Sequence, residues 1–182
     1  MNKWKESELV RSLVGFFLLF LLFVGLFIFV VPSTHQSSKI ADKIKSIKNE
    51  KVTYVAIGDS LTQGVGDSSN QGGFVPVLSQ ALESDFDWQV TSRNYGIAGN
   101  TSNQILKRMQ EKKDIQRDLK KAKVMTLTVG GNDVIHVIKD NITNLNVDTF
   151  TKPAQAYQKR LGQIIELARK DNKTLPIYIV GI

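Results

Sequence analysis

The chain has 182 residues, a formal net charge of +7 and no cysteine. This length accommodates one membrane segment and one domain of modest size. The absence of cysteine excludes disulfides and thiolate metal sites, and the two histidines, His35 and His136, lie too far apart in sequence to form a ligand cluster, so we expect neither a metal nor a cofactor. Basic residues alternate with acids rather than with aromatic residues, which favours a solvated basic surface over a nucleic-acid-binding face.

Residues 13–31 form an apolar run without a single charged or amide side chain. At about 1.5 Å per residue, a helix of this length just crosses a hydrocarbon core of roughly 30 Å, so we predict a transmembrane signal anchor at residues 12–34. A buried core helix would need a polar face, which this run lacks. A cleaved signal peptide is the stronger alternative, although its apolar region is normally shorter and followed by small residues.

Basic residues flank this run on both sides, so charge alone does not favour one orientation. A short basic tail before a single early helix is the usual arrangement of a signal anchor, and long domains cross the membrane largely regardless of charge. We therefore expect residues 1–11 in the cytoplasm and the domain, residues 51–182, outside the cell membrane. Residues 35–50 are interpreted as a juxtamembrane stalk, either a plain tether or a short amphipathic helix.

The first pattern of the domain that indicates chemistry is VTYVAIGDSLTQGVGD, at residues 52–67. A β-branched apolar run stops at Gly58, and Asp59 and Ser60 follow among small residues, as expected for a strand that leads into a tight turn. At the carboxyl end of a buried parallel strand, a serine hydroxyl can face a substrate. Ser60 is therefore the candidate nucleophile, whereas a second Gly-Asp-Ser at residues 66–68 has no strand before it.

The rest of the domain alternates helices and strands. The predicted elements are a helix from Phe74, a strand at 88–94, a loop GIAGNTS at 96–102, a helix capped by Thr101 or Ser102, a short polar helix at 114–121, a strand at 124–129, a long helix from Phe150 and a strand at 176–180. This alternation predicts a three-layer α/β/α, flavodoxin-like fold, in which helices cover both faces of a parallel sheet. The basic segment 107–123 is interpreted as a solvated face, with an anionic envelope polymer or a lipid surface as the alternative partner.

Nucleotide-binding motifs do not fit the glycine spacing. Five residues separate Gly58 from Gly64, with no lysine directly after Gly64, and Gly64 and Gly66 lack the third glycine of a dinucleotide fingerprint. The G-x-S-x-G elbow of α/β-hydrolases would need glycine where Thr62 stands. These readings are therefore disfavoured.

Three sequence blocks resemble, in the same order, those of the GDSL or SGNH hydrolases: Gly58-Asp59-Ser60-Leu61, Gly99 within GIAGNTS, and Gly130-Gly131-Asn132-Asp133. The resemblance covers roughly residues 51–182, and GDSLTQGVGD is most similar to membrane-anchored, esterase- or lipase-like members from Gram-positive bacteria. Three blocks, each placed after a predicted strand and in the family's order, are far more specific than one tripeptide.

The resemblance implies acyl transfer, in which Ser60 attacks an ester carbonyl. The oxyanion would be held by the backbone N–H of Ser60, the backbone N–H of Gly99 and the side-chain amide of Asn132. Glycine exposes its N–H without a Cβ, and asparagine donates from its side chain. The alternatives are that Gly99 is only a turn glycine and that Asn132 is only a helix cap. The remaining shared residues are interpreted as supporting the loops: Gly58, Asp59 and Asp133.

The late D-x-x-H block, which supplies the general base in this family, is absent from the chain. The literal match at residues 133–136 overlaps the Asn132 block, so His136 is interpreted as a residue of the following helix, and His35 lies beside the predicted membrane segment. The chain therefore looks cut short at Ile182. We expect residues 1–182 alone to show little or no turnover.

These observations predict a membrane-anchored serine hydrolase that cleaves carboxylic esters at the outer membrane surface without a cofactor. A small-molecule, lipid or cell-wall ester is the expected substrate, residues 13–31 contact the membrane, and no nucleic-acid partner is expected. The alternative function is an inactive relative that binds an envelope glycan or lipid. The sequence carries no signal for the oligomeric state.

Overall fold

The computed structural model describes residues 50–180. The predicted cytoplasmic tail and signal anchor, and all of the predicted stalk except Glu50, lie outside this range. Within it, no helix combines the length and the apolar character that a membrane span requires.

Strands and helices alternate along the described chain. In chain order they are β1 (Lys51–Gly58), α1 (Ser60–Gln63), α2 (Phe74–Phe86), β2 (Gln89–Gly96), α3 (Ser102–Glu111), α4 (Lys113–Lys121), β3 (Ala122–Thr128), α5 (Gly131–Asp140), α6 (Asp148–Ala168) and β4 (Ile177–Val180). The four strands form one parallel sheet in the order β2-β1-β3-β4. The predicted parallel α/β sheet is confirmed, and each predicted strand lies within two residues of its observed bounds. One local detail differs, because Ser60 begins a one-turn helix rather than a simple tight turn.

Two apolar cores cover the two faces of the sheet, because successive side chains of a strand point to opposite faces. Val55 and Ile57 of β1 belong to the larger core, which includes residues of α3, α4 and α6. Tyr54 and Ala56 belong to the smaller core, which packs against α2. The alternation within β1 therefore produces the three layers, with α2 on one face and α3, α4 and α6 on the other.

The loop between α1 and α2 is organised by the carboxylate of Asp67. One carboxylate oxygen accepts hydrogen bonds from the backbone N–H and the hydroxyl of Ser69, and the other accepts from the N–H groups of Gln71 and Gly73, both at 2.9 Å. The Ser69 hydroxyl, followed by the Gly73 N–H, holds the pKa of Asp67 well below its usual range. The second Gly-Asp-Ser of the sequence is therefore part of a loop whose carboxylate serves a structural purpose.

Asp67→Asn should lower the stability of the domain at neutral pH, because an amide has only one oxygen to accept these bonds. The folded-state pKa of Asp67 lies below the unfolded value of about 3.9. The ionised carboxylate therefore stabilises the fold above that value, and the contribution is lost as the pH falls below it. Urea unfolding of both proteins between neutral pH and about pH 3 should show the difference shrinking with acid.

Asp171→Asn serves as the matched control, since Asp171 is exposed and follows α6 without a side-chain hydrogen bond among the described residues. Its effect should be small and should change little with pH. A difference between the wild type and Asp67→Asn that is undiminished in acid would contradict the role given to the Asp67 carboxylate.

Candidate active site

The sheet register brings the three sequence blocks to one edge. Gly58, the last residue of β1, pairs with Gly96, the last residue of β2, and Ile57 pairs with Leu127 near the end of β3. The loops that follow these strands therefore start side by side at the carboxyl edge of the sheet. Gly99 lies in the loop after β2, while Ser60 and Asn132 lie in the first turns of α1 and α5, just beyond the ends of β1 and β3. This edge is the usual place for a site in a doubly wound sheet.

Asp59 connects the turn that carries Ser60 to the end of β3. Its side chain is buried, accepts a hydrogen bond from the Leu61 N–H at 3.1 Å, and accepts a second from the Thr128 hydroxyl at 2.8 Å. The Asp59 N–H in turn donates to Thr128 Oγ1 at 3.1 Å. Thr62 completes the group, since its hydroxyl lies 2.8 Å from that of Thr128. The position of Ser60 is therefore set by a buried polar cluster on both sides of it.

Gly58 is required by the close approach of this cluster. A Cβ at position 58 would lie 2.1 Å from Thr128 Oγ1 and 2.5 Å from Thr62 Oγ1, well inside contact distance. A larger residue would push β1 and β3 apart at the point where Ser60 begins. The glycine of the Gly-Asp-Ser block thus has a packing reason that is independent of catalysis.

Gly99 lies exposed in the loop after β2, with a φ of +77°. A Cβ added there would meet no atom within 4 Å, so the space beside this residue is open. This left-handed backbone conformation is one that residues with a Cβ rarely adopt, so the interpretation of Gly99 as a turn glycine fits its backbone. The open space leaves room for a ligand atom next to the loop.

Asn132 is the second residue of α5 and does not cap that helix, whose N-cap is Gly130. Its side-chain nitrogen donates a hydrogen bond to the backbone oxygen of Asn100 at 3.0 Å. This contact joins the loop after β3 to the loop that contains Gly99. The Asn132 amide is therefore bonded to the residue that directly follows Gly99.

Asp133 attaches the start of α5 to the start of α3. Its carboxylate accepts hydrogen bonds from the backbone N–H of Ser102 at 2.8 Å and from the Ser102 hydroxyl. The guanidinium of Arg160, on α6, contacts both groups, with its Nε 2.7 Å from the Ser102 hydroxyl and an Nη 3.2 Å from Asp133. The negative charge of Asp133 is thus matched inside the fold.

Sequence reasoning missed three side chains that arrange this region: Arg108, Thr128 and Arg160. Arg108 lies in the segment interpreted as a solvated basic face, and most of that segment is exposed, but Arg108 itself is half-buried and donates three hydrogen bonds. Burial lowers the pKa of Arg108, yet an arginine remains charged. The signal for Arg108 was its position between the apolar residues Leu106 and Met109, and the signal for Thr128 was a hydroxyl at the end of an apolar strand.

The two histidines do not join this group within the described residues. His136 is exposed on α5 and shares no hydrogen bond with Ser60 there, and His35 lies outside the described range. Residues 50–180 also contain no group of three or more histidine or acidic side chains able to hold a metal ion.

An apolar cavity of about 640 Å³ lies beside the start of α5. Its walls come from the end of β3, from α5, from α6 and from β4, and include Gly130, Ile135, Phe150, Tyr157 and Ile179. The Tyr157 hydroxyl donates to the backbone oxygen of Val129 at 3.3 Å, and burial raises the pKa of this hydroxyl, so it stays neutral as a donor. The cavity offers an apolar space next to the loop that carries Asn132.

Comparison with known proteins relates most of the domain to one family. The family model for the GDSL-like Lipase/Acylhydrolase family matches residues 56–182. The uncharacterized protein YpmR of Bacillus subtilis is 32% identical over 152 residues, covering 82% of this chain and 59% of YpmR. The spore germination lipase LipC of Bacillus licheniformis is 30% identical over 117 residues, covering 64% of this chain and 55% of LipC.

The solved structures with a similar fold include a lipase and an esterase. The lipase Lip_vut3 from a goat rumen metagenome is 25% identical with a TM-score of 0.66, and the match covers 72% of this chain and 64% of that protein. AlinE4, an SGNH-hydrolase family esterase, is 26% identical with a TM-score of 0.52, and the match covers 73% and 60% of the two chains. The chain spans less than two thirds of the length of each of these four relatives.

Thr128→Val should reduce the free energy of unfolding by about 1–3 kcal/mol, because it leaves the buried carboxylate and N–H of Asp59 without their shared partner. Valine keeps the shape of the side chain, so the loss reports on hydrogen bonding rather than on a cavity. Urea unfolding at neutral pH measures it. Thr91→Val, at an exposed position of β2, is the control and should change the stability by no more than about 0.5 kcal/mol. Equal effects of the two substitutions would contradict the role given to Thr128.

Proposed function

The chain belongs to the GDSL-like Lipase/Acylhydrolase family, and we propose that it carries the nucleophile and the oxyanion hole of a serine hydrolase that cleaves carboxylic esters. The observation that supports this most directly is the linkage of the Asn132 side chain to the loop of Gly99, at the sheet edge where Ser60 also lies. The descriptions of LipC and Lip_vut3 as lipases and of AlinE4 as an esterase support the same class of reaction.

In the proposed reaction, the Ser60 hydroxyl oxygen attacks the ester carbonyl carbon and forms a tetrahedral intermediate. The negative oxygen of this intermediate accepts hydrogen bonds from the N–H groups of Ser60 and Gly99 and from the side-chain amide of Asn132. Collapse of the intermediate breaks the bond to the alcohol and leaves an acyl-serine, which water then hydrolyses. Asp59 and Asp133 take no part in proton transfer here and act by holding the loops.

The reaction also needs a general base for the Ser60 proton. None of residues 50–180 is given this task, because His136 is exposed and shares no hydrogen bond with Ser60 among them. A histidine oriented by an aspartate, as in the late D-x-x-H block of the family, would supply this base.

The substrate is proposed to be an ester with an apolar portion, from a lipid, a cell-wall component or a small molecule. The apolar cavity beside Gly130 supports this, since it borders the Asn132 loop and offers few polar groups. The same cavity would serve the alternative function, in which an inactive relative binds an envelope lipid. Turnover distinguishes the two.

Ser60→Ala should abolish hydrolysis of p-nitrophenyl esters by the natural protein, measured as nitrophenolate release. Asn132→Ala should lower kcat by about 10²–10³-fold with little change in KM, because it removes a donor that acts mainly in the transition state. Residual activity of Ser60→Ala close to wild type would overturn the proposal. Thr91→Val, whose residue is exposed on β2 away from the loops, should leave both constants unchanged.

The polypeptide of residues 1–182, assayed alone, should release nitrophenolate slowly if at all, because Ser60 has no base among the described residues. Added imidazole should raise the rate in this polypeptide above the rate in its Ser60→Ala form, since free imidazole can take the proton. Rapid, Ser60-dependent hydrolysis without imidazole would show that the chain contains its own base.

We also propose that residues 13–31 anchor the protein in the cell membrane with the domain outside. The absence of any charged or amide side chain in this run supports the proposal. Protease added to intact cells should remove the domain while a cytoplasmic control protein stays intact. A domain that is digested only after cell lysis would contradict this orientation.

A further inference from the structure

Arg108 is hydrogen-bonded to three segments near Gly99: the end of β1, the end of β2 and the loop after β2. It lies on α3 and is half-buried. Its guanidinium donates from Nε to Asn100 Oδ1 at 2.8 Å, from Nη1 to the backbone oxygen of Tyr95 at 3.0 Å, and from Nη2 to the backbone oxygen of Gly58 at 3.2 Å. One side chain therefore binds the end of β1, the end of β2 and the loop after β2.

Asn100 is hydrogen-bonded to both Arg108 and Asn132. The side-chain oxygen of Asn100 accepts from Arg108, and its backbone oxygen accepts from Asn132 Nδ2 at 3.0 Å. Because a carbonyl oxygen only accepts, the amide nitrogen of Asn132 must face this loop. An amide nitrogen carries two hydrogens, so one stays available for a second acceptor.

Asn100 is also the residue directly after Gly99. A shift of Asn100 would therefore move the Gly99 N–H together with the Asn132 amide. Both groups are the proposed oxyanion donors, and electrostatic stabilisation of an oxyanion depends on donors that are already in place before the reaction.

We propose that Arg108 is a positioning residue for the oxyanion hole, which it sets through Asn100. This inference rests on the proposed function. Arginine suits the task because its planar guanidinium presents five N–H donors in a rigid fork, and here three of its nitrogens reach acceptors in three different segments. A lysine has a single nitrogen on a flexible stem and could not hold the same three acceptors.

Arg108→Lys tests the proposal in a double-mutant cycle with Asn132→Ala, using the natural protein and p-nitrophenyl acetate. Alone, Arg108→Lys should lower kcat by about tenfold to a hundredfold with a nearly unchanged KM, because small displacements of catalytic groups are costly. In the Asn132→Ala background, it should lower kcat by less than about threefold, since the main donor that it positions is already gone. Fully multiplicative effects would overturn the proposal.

Arg117→Lys is the matched control, because Arg117 is exposed on α4 and its nearest partner is Asp118 rather than a loop of the site. It should leave kcat and KM unchanged. If Arg108→Lys is too unstable to purify, Asn100→Ala removes the same side-chain contact and should give the same cycle with Asn132→Ala.

A spectroscopic measurement tests Arg108 without any turnover. The side-chain amide of Asn132 gives a pair of ¹H–¹⁵N signals that Asn132→Ala removes. Arg108→Lys should shift this pair and speed its exchange with water, whereas Arg117→Lys should not. An unchanged pair in Arg108→Lys would overturn the inference, and an active Ser60→Ala enzyme would instead overturn the proposed function while leaving this test valid.

Discussion

The hydrogen bonds between Asp59 and Thr128 are the contact on which the arrangement of the site depends. They run in both directions, from the Thr128 hydroxyl to the carboxylate and from the Asp59 N–H to the hydroxyl. Both side chains are buried, where an unpaired polar group would be costly. The ends of β1 and β3 are therefore held at a fixed, short separation. Gly58 permits this close approach because it has no Cβ to collide with Thr128 and Thr62. The turn that carries Ser60 and the loop that carries Asn132 start from this connection.

Beyond the strand ends, hydrogen bonds from side chains, rather than backbone hydrogen bonds between strands, hold the chain in place. The loop after β2 still donates one backbone hydrogen bond to β1, from the Ile97 N–H to the Gly58 oxygen, but beyond this point the backbone groups of the loops after β2 and β3 need other partners. Asn132 and Arg108 bind backbone oxygens of the first of these loops and of the strand ends, and Asp133 binds the N–H of Ser102. Each of these bonds crosses between segments that are distant in sequence. Together they hold the loop after β2 and the start of α5 in one arrangement at the strand ends.

Charge contributes to this region in a way that the net value of +7 does not indicate. Arg108 and Arg160 turn inward and bind groups at the strand and helix ends. Asp118, a buried residue of α4, accepts a hydrogen bond from the Tyr95 hydroxyl at 2.8 Å and lies near the exposed Arg93 and Arg117. Burial and the contact with Asp118 raise the pKa of Tyr95 to about 12, so this hydroxyl remains a donor. The segment 107–123 thus contributes exposed cations as well as the inward-facing Arg108 and the buried Asp118, whereas the pair of Asp133 with Arg160 lies outside this segment.

The sequence by itself determined the order of strands and helices, since apolar residues at a spacing of two or at helical spacing must each bury one face. It also placed Ser60, Gly99 and Asn132 after strands, and parallel strands put such loops at one edge. Tertiary structure alone decided which side chains connect these loops, because Arg108, Ser102 and Thr128 meet partners up to 69 residues away, and no local period encodes such a contact. Arg108 shows the reason most clearly: on the sequence it is one more cation of a basic segment, and only the packing of α3 against the sheet turns its guanidinium toward the backbone of β1 and β2.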